Sequence, residues 1–211
     1  MVRPSDEAVS IALESEQLNP RIGLLGELAV EMQIVQRGWH PVRLDTAQMA
    51  SNADLIAIKG QHRVSIQVKT TNAETQHPVD DSAGWLSFGY ATGYLRDSKP
   101  LFNSKNSPLI ADVVIGVSYH PRRTRFVVMP VAFAEALCRI HCDYWSSVPT
   151  KGGSRRSQSF PVYLLFTANR QAHKEHFERI KRNVLKFEDA WDVLSENIAT
   201  LHDPTRWPLL M

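Results

Sequence analysis

A chain of 211 residues, 43% hydrophobic and 22% charged, has the composition of an ordinary globular domain and is long enough to bury a normal core. Its formal charge of +2 permits a polyanionic partner without arguing for one, and its two cysteines, Cys138 and Cys142, exclude a disulfide framework and fit a reducing cytoplasm. No stretch reaches the about 18 consecutive apolar residues of a membrane span, and the acidic N-terminus predicts no signal peptide.

In chain order, residues 5–18 predict a short helix, capped by Ser5 and broken at Asn19-Pro20. A stronger helix follows in "RIGLLGELAVEMQIVQRGW". Ile22, Leu25, Leu28, Ala29, Met32, Val35 and Gln36 fall mostly on one stripe, which predicts a core-facing side. Gly23 and Gly26 weaken that helix and predict close packing, and Gly38 is its expected stop. Strands are expected at 41–45, 53–59 and 63–70, the last two joined by a tight turn at Gly60-Gln61. A polar stretch covers 71–84. A strand is expected at 85–90, then a loop through "RDSKPLFNSKNSP". Strands at 111–120 and 124–130, a helix at 131–145, a basic loop at 148–159, a strand at 160–166 and a closing helix or broken helix pair complete the chain. This order predicts a mixed α/β layer, a sheet covered by helices.

The awkward residues lie in "NADLIAIKGQHRVSIQVKTT". Folding the two strands about their turn brings Asp54 level with Gln67 and Lys69, and the last two share a strand face. On the strand pattern alone, Ser65, Gln67, Lys69 and Thr71 read equally well as a solvated face, with Asp54 closing a turn. The chemical alternative is a metal site. Asp54 offers a hard anionic oxygen and Gln67 a neutral one, with Lys69 beside the reacting phosphate.

Asp54, twelve residues, then Gln67-Val68-Lys69, preceded by "GELAVEMQIVQRGW", resembles the PD-(D/E)XK nuclease-like superfamily, in particular Mrr-like and small resolvase-like nucleases. The resemblance covers about residues 21–71. It departs from the usual pattern at Asn52-Ala53 and at Gln67, which stands where a Glu or Asp is usual and removes a charge from the metal site. It implies a restriction-endonuclease-like α/β core, a central mixed sheet flanked by helices, over residues 21–168. Residues 1–20 would then be a helical extension, and 169–211 a helical segment packed on the same domain.

The resemblance further implies a Mg²⁺-dependent endonuclease, with Mn²⁺ able to substitute. Asp54, Gln67 and Glu27 would hold the metal and Lys69 would act on the nucleophile. DNA is the expected substrate, with RNA left open, in defence against foreign DNA or in repair. A homodimer would suit double-strand cleavage. The alternatives are a non-cleaving member of the same fold that binds nucleic acid or a protein, and a small protein–protein module.

Basic residues in two loops, Lys151, Arg155 and Arg156, and Arg122 and Arg123, could meet phosphates or only solvate their loops. Cys138, His141 and Cys142 share one helix turn, but zinc needs about four ligands, so a buried helix face is expected there.

Overall fold

The computed structural model describes residues 6–44, 53–72, 85–96, 99–102, 111–119, 123–148, 160–165 and 173–210. Helix α1 (Asp6–Gln36) leads into β1 (His40–Arg43), β2 (Leu55–Lys59) and β3 (His62–Asn72). Strands β4 (Trp85–Arg96) and β5 (Lys99–Phe102) follow, then β6 (Val113–Tyr119), β7 (Arg125–Pro130) and helix α2 (Val131–Ser147). The chain closes with β8 (Phe160–Leu165), α3 (Lys174–Leu185), a 3₁₀ turn (Trp191–Ser195) and the short α4 (Ile198–Leu201).

Five strands form one mixed sheet in the order β1-β2-β3-β6-β7, and three form a second, β5-β4-β8. The first three strands of the larger sheet are antiparallel neighbours. The β3–β6 pair is parallel, with Lys69 opposite Gly116 and Thr71 opposite Ser118. Helix α1 packs on β3, β1 and β6, and α2 packs on the smaller sheet and on β7 and β6. The architecture is thus α/β, a central mixed sheet flanked by helices.

The core follows from strand alternation. Leu55, Ala57, Val64 and Ile66 are fully or almost fully buried between β2, β3 and α1, joined by Val113, Ile115 and Val117 of β6. The β2–β3 turn uses Gly60 at φ 61°, in the left-handed region glycine tolerates best. The mouth of β6 is pinned to β3 by Asp112. Its Oδ2 accepts from the Ser65 amide at 2.8 Å and the Ser65 hydroxyl at 2.6 Å, and its Oδ1 meets His202 Nε2 at 2.9 Å. The closing segment is therefore tied to the sheet by the His202–Asp112 hydrogen bond as well as by Trp191 and Leu194, both buried.

Three expectations are corrected. The helix is not broken at Asn19-Pro20 but runs continuously through it; proline's fixed φ is helical, and what it removes is one backbone bond. The loop expected after residue 90 contains β5, and β4 extends to Arg96 through a register shift between Phe88 and Thr92.

The third correction concerns α1. Gly26, Val30 and Ile34 are buried, whereas Leu25, Leu28, Met32 and Val35 of the expected core stripe are exposed. The reason is distance. A β-carbon built on Gly26 would lie 1.8 Å from Thr70 Oγ1 and 2.8 Å from Thr70 Cβ. The helix sits too close to β3 for a larger side chain, so the slim side of α1 turns inward. No such contact exists at Gly23, where nothing lies within 4 Å.

On α2, Cys138, His141 and Cys142 are buried, as the sequence predicts. His141 joins α2 to α3. Trp145 Nε1 donates to His141 Nε2 at 2.9 Å, so His141 carries its proton on Nδ1 and donates to His176 Nε2 at 3.0 Å. His176 stacks on Tyr144 with ring centres 3.7 Å apart. Both imidazoles are held neutral. Burial, reinforced by His176, pushes His141 down to about 3, and burial with the Arg179 and His173 charges pushes His176 down to about 4.

Gly26→Ala is expected to destabilise the protein by about 1–3 kcal/mol, because the clash involves Thr70 Cβ and rotation of Thr70 cannot relieve it. Adding Thr70→Ala should restore part of that loss in chemical denaturation. The histidine pair predicts a second behaviour. Both folded pKa values lie below the unfolded 6.5, so as pH falls below 6.5 the unfolded chain binds protons that the folded pair refuses. Stability is full above that pH and is lost towards pH 4, at up to about 1.4 kcal/mol per pH unit for each imidazole. In thermal melts between these limits, His176→Gln should reduce the slope by about one proton's worth.

Candidate active site

Strand register places the candidate residues. Leu55 pairs with Ile66, and the Asp54 amide also donates to the Ile66 carbonyl at 2.8 Å, one residue off the register of the ladder. Asp54 thus stands just ahead of β2, beside Gln67 and Val68 of β3. Its Oδ2 turns back to accept from the Val68 amide at 2.6 Å. Two residues beyond Gln67, on the same face of β3, stands Lys69. Glu27 reaches the same place from α1, on the turn that Gly26 holds against Thr70.

Electrostatics shows the convergence. Glu27 senses the charges of Asp54 and Lys69, and Lys69 senses both acids. Each group is pushed towards its neutral form, and burial is the largest cause in every case. Burial raises Glu27, assisted by Asp54 and Glu31 and opposed by Arg43 and Lys69. Burial raises Asp54 against the Val68 hydrogen bond and the Lys69 charge. Burial lowers Lys69 against the attraction of both carboxylates. Two acids and one amine are thus held where water stabilises them poorly.

Gln67 completes the cluster in an unusual way. Its side chain is 1% exposed, and its Oε1 has no hydrogen-bond partner among the described residues. A buried amide oxygen left unpaired costs about 1–3 kcal/mol, so an oxygen kept there without a protein donor suits a cation.

This donor set fits a hard divalent ion: a carboxylate with Oδ1 outside its backbone hydrogen bond, a bare amide oxygen and a second carboxylate nearby. Among the described residues there is no group of three His, Cys, Asp or Glu side chains disposed to hold a metal. The cluster has two carboxylates, and its third oxygen comes from an amide.

Arg43 is the neighbour that the sequence did not disclose. From β1 it contacts Glu31 and lies 3.9 Å from Glu27 Oε2. Its only prior signal is that a strand leaving a helix after a short turn must fold back along it. The basic residues expected at a nucleic-acid surface divide in two. Lys151, Arg155, Arg156 and Arg122 lie outside the described residues. Arg123 is exposed just ahead of β7, and its charge helps hold Glu188 below the usual carboxylate range, behind the hydrogen bonds from Arg125. Arg125 grips Glu188 with two bonds of 2.6 and 3.0 Å. Because Thr71 pairs with Ser118 and Ser118 with Arg125, this turn leaves the sheet at the same end as Lys69.

No family model and no curated protein matches this chain. Among solved structures, a bacterial homing endonuclease, I-Ssp6803I, is similar with a TM-score of 0.43 and 14% identity, over 83% of this chain and 91% of that one. Among the described residues no helix is long and apolar enough to cross a membrane.

Gln67→Met keeps the volume of the side chain and removes the orphaned oxygen. It is expected to leave stability unchanged or raise it by about 1 kcal/mol in chemical denaturation, while weakening Mg²⁺ or Mn²⁺ binding in calorimetry.

Proposed function

We propose that this chain is a Mg²⁺-dependent endonuclease of the PD-(D/E)XK nuclease-like kind that hydrolyses DNA phosphodiester bonds, with Mn²⁺ able to replace Mg²⁺. The observation that carries the reading is the meeting of Glu27, Asp54 and Lys69 beside a buried amide oxygen that lacks a protein donor.

Asp54 and Gln67 would hold the ion and Glu27 would complete or tune its site. The bound ion supplies charge stabilisation at the phosphate and acidifies its own water. The residues of the chain do the rest. Asp54 is fixed by the Val68 amide, so its carboxylate is oriented before any ligand arrives. Lys69, lowered by burial, is suited to take part in proton transfer or to meet negative charge on the phosphate. Gln67 contributes no charge, so Asp54 and Glu27 supply the anionic character of the site. Both are raised, so protons compete with the ion earlier than at ordinary carboxylates, and activity should fall as pH drops through that raised range. Exposed Arg123, at the Lys69 end of the sheet, is a candidate phosphate contact, together with Arg122 and the Lys151, Arg155 and Arg156 loop.

One observation favours a second reading, a non-cleaving nucleic-acid-binding protein. Arg43 already neutralises part of Glu27 and Glu31, as it would in a purely structural ion-pair cluster.

Plasmid cleavage separates the two. Wild type should nick or cut DNA with Mg²⁺ or Mn²⁺ and not with EDTA, and Asp54→Ala or Lys69→Ala should lose about 10²-fold or more. No cleavage of duplex, single-stranded, branched or modified DNA would sink the nuclease reading. Salt-sensitive DNA binding that survives in both variants would then support the second.

A further inference from the structure

Helix α1 is apolar on two sides, and the fold covers only one. Leu24, Leu25, Leu28, Met32 and Val35 are 37–58% exposed, on the side away from Gly26, Val30 and Ile34. Leu25, Leu28, Met32 and Val35 line a shallow groove whose edges are Glu31, Gln36 and Pro41 of β1. Five large exposed hydrophobic side chains on four turns of one helix exceed the scattered apolar residues of an ordinary surface.

The spacing identifies an occupant. Residues 25, 28, 32 and 35 follow the three-four-three pattern of a coiled-coil seam, with Leu25 and Met32 at one core position and Leu28 and Val35 at the other. Such a seam is complementary to a helix of its own kind. We propose that a second copy of this chain covers it, the two α1 helices pairing antiparallel about a two-fold axis near residue 30.

Charge decides the direction. In a parallel pair the alternate seam positions Arg21 and Glu14 would each meet their own like charge. In the antiparallel pair Leu25 faces Val35 of the second copy, Leu28 faces Met32, and Arg21 passes beyond the end of the facing helix. Between Ile22 and Gln36 the only charged residues are Glu27 and Glu31, and Arg43 engages both. The seam therefore closes without stranding a free charge. The exposed parts of these side chains in two copies amount to on the order of 1,000 Å² of buried surface, the lower end for a specific interface, which suits a dimer of micromolar strength. Glu27 lies off the seam, so pairing leaves each candidate site open and brings two of them into one particle.

Sedimentation equilibrium of the full chain tests this directly. Wild type should weigh as a dimer above about 10 µM, and Leu28→Glu/Met32→Glu as a monomer with an unchanged far-ultraviolet spectrum. A wild type that stays monomeric to about 100 µM overturns the proposal and leaves the groove to a different protein. A double variant that folds and remains dimeric overturns it too. Should that variant fail to fold, cross-linking decides. Val35→Cys alone should not form an intermolecular disulfide, since two copies of residue 35 would lie roughly 15 Å apart along the axis, whereas Leu25→Cys/Val35→Cys should. Cys138 and Cys142 are buried and do not confuse the result. Efficient cross-linking of Val35→Cys alone, or none in the double variant, overturns the antiparallel pair.

Discussion

The close approach of Gly26 to Thr70 is the contact on which the rest of this structure depends. It has no room for a β-carbon, so it sets the distance between α1 and β3. That distance selects which side of α1 faces inward, since only glycine fits against Thr70, and Val30 and Ile34 follow on the same side one and two turns later. It also sets the position of Glu27, the next residue on the helix. Thr70 is the residue after Lys69, so one contact fixes the relation between the two halves of the candidate site.

The cluster at the end of β3 works against folding. Burial moves Glu27, Asp54 and Lys69 towards neutrality, and Gln67 keeps an oxygen unpaired. Groups in this state are tolerated where the surroundings supply stability of another kind. Here the apolar layer of Leu55, Val64, Ile66 and Ile115 lies behind them, and the Asp112–Ser65 bonds clamp β3 two residues before Gln67. Asp112, bonded to Ser65 on the same strand, shows the contrast. Its hydrogen bonds to Ser65 and His202 outweigh its burial and hold it below the usual carboxylate range, whereas Asp54, with one backbone donor, is raised. The well-satisfied Asp112 is structural. Under-satisfied groups such as Asp54 and Gln67 are those a ligand would complete.

The strands of the larger sheet were legible in the sequence because alternation and turn chemistry are local. Gly60-Gln61 and the β-branched runs on either side define the hairpin, and its register brings the start of β2, with Asp54 just ahead of it, beside Gln67 and Val68. The orientation of α1 was not legible. Its two apolar sides lie nearly opposite each other, and a stripe count favours the one with the leucines, although packing against a sheet rewards small and branched residues at a close contact. Glu27 looked like an outward residue because it stands off the leucine stripe. Since that stripe faces out, standing off it is what turns Glu27 inward. Strand β5 and the Arg43 contacts were hidden for a different reason: both depend on partners distant in sequence, and neither "KPLF" nor "HPVR" carries a strong pattern of its own.

The two sides of α1 make opposite demands on one helix. The inner side needs glycine, which weakens helices, and the outer side needs large residues that stay exposed in a single chain. A long helix of 31 residues meets both demands more easily when its outer side is covered, because the covering contacts replace the helical stability that Gly23 and Gly26 remove. The same contacts would hold the turn that carries Glu27 against Thr70. Association through the seam and assembly of the site beside Lys69 would then be linked through a single rigid element, with the pairing of two chains steadying the acid that each of them brings to its own β3.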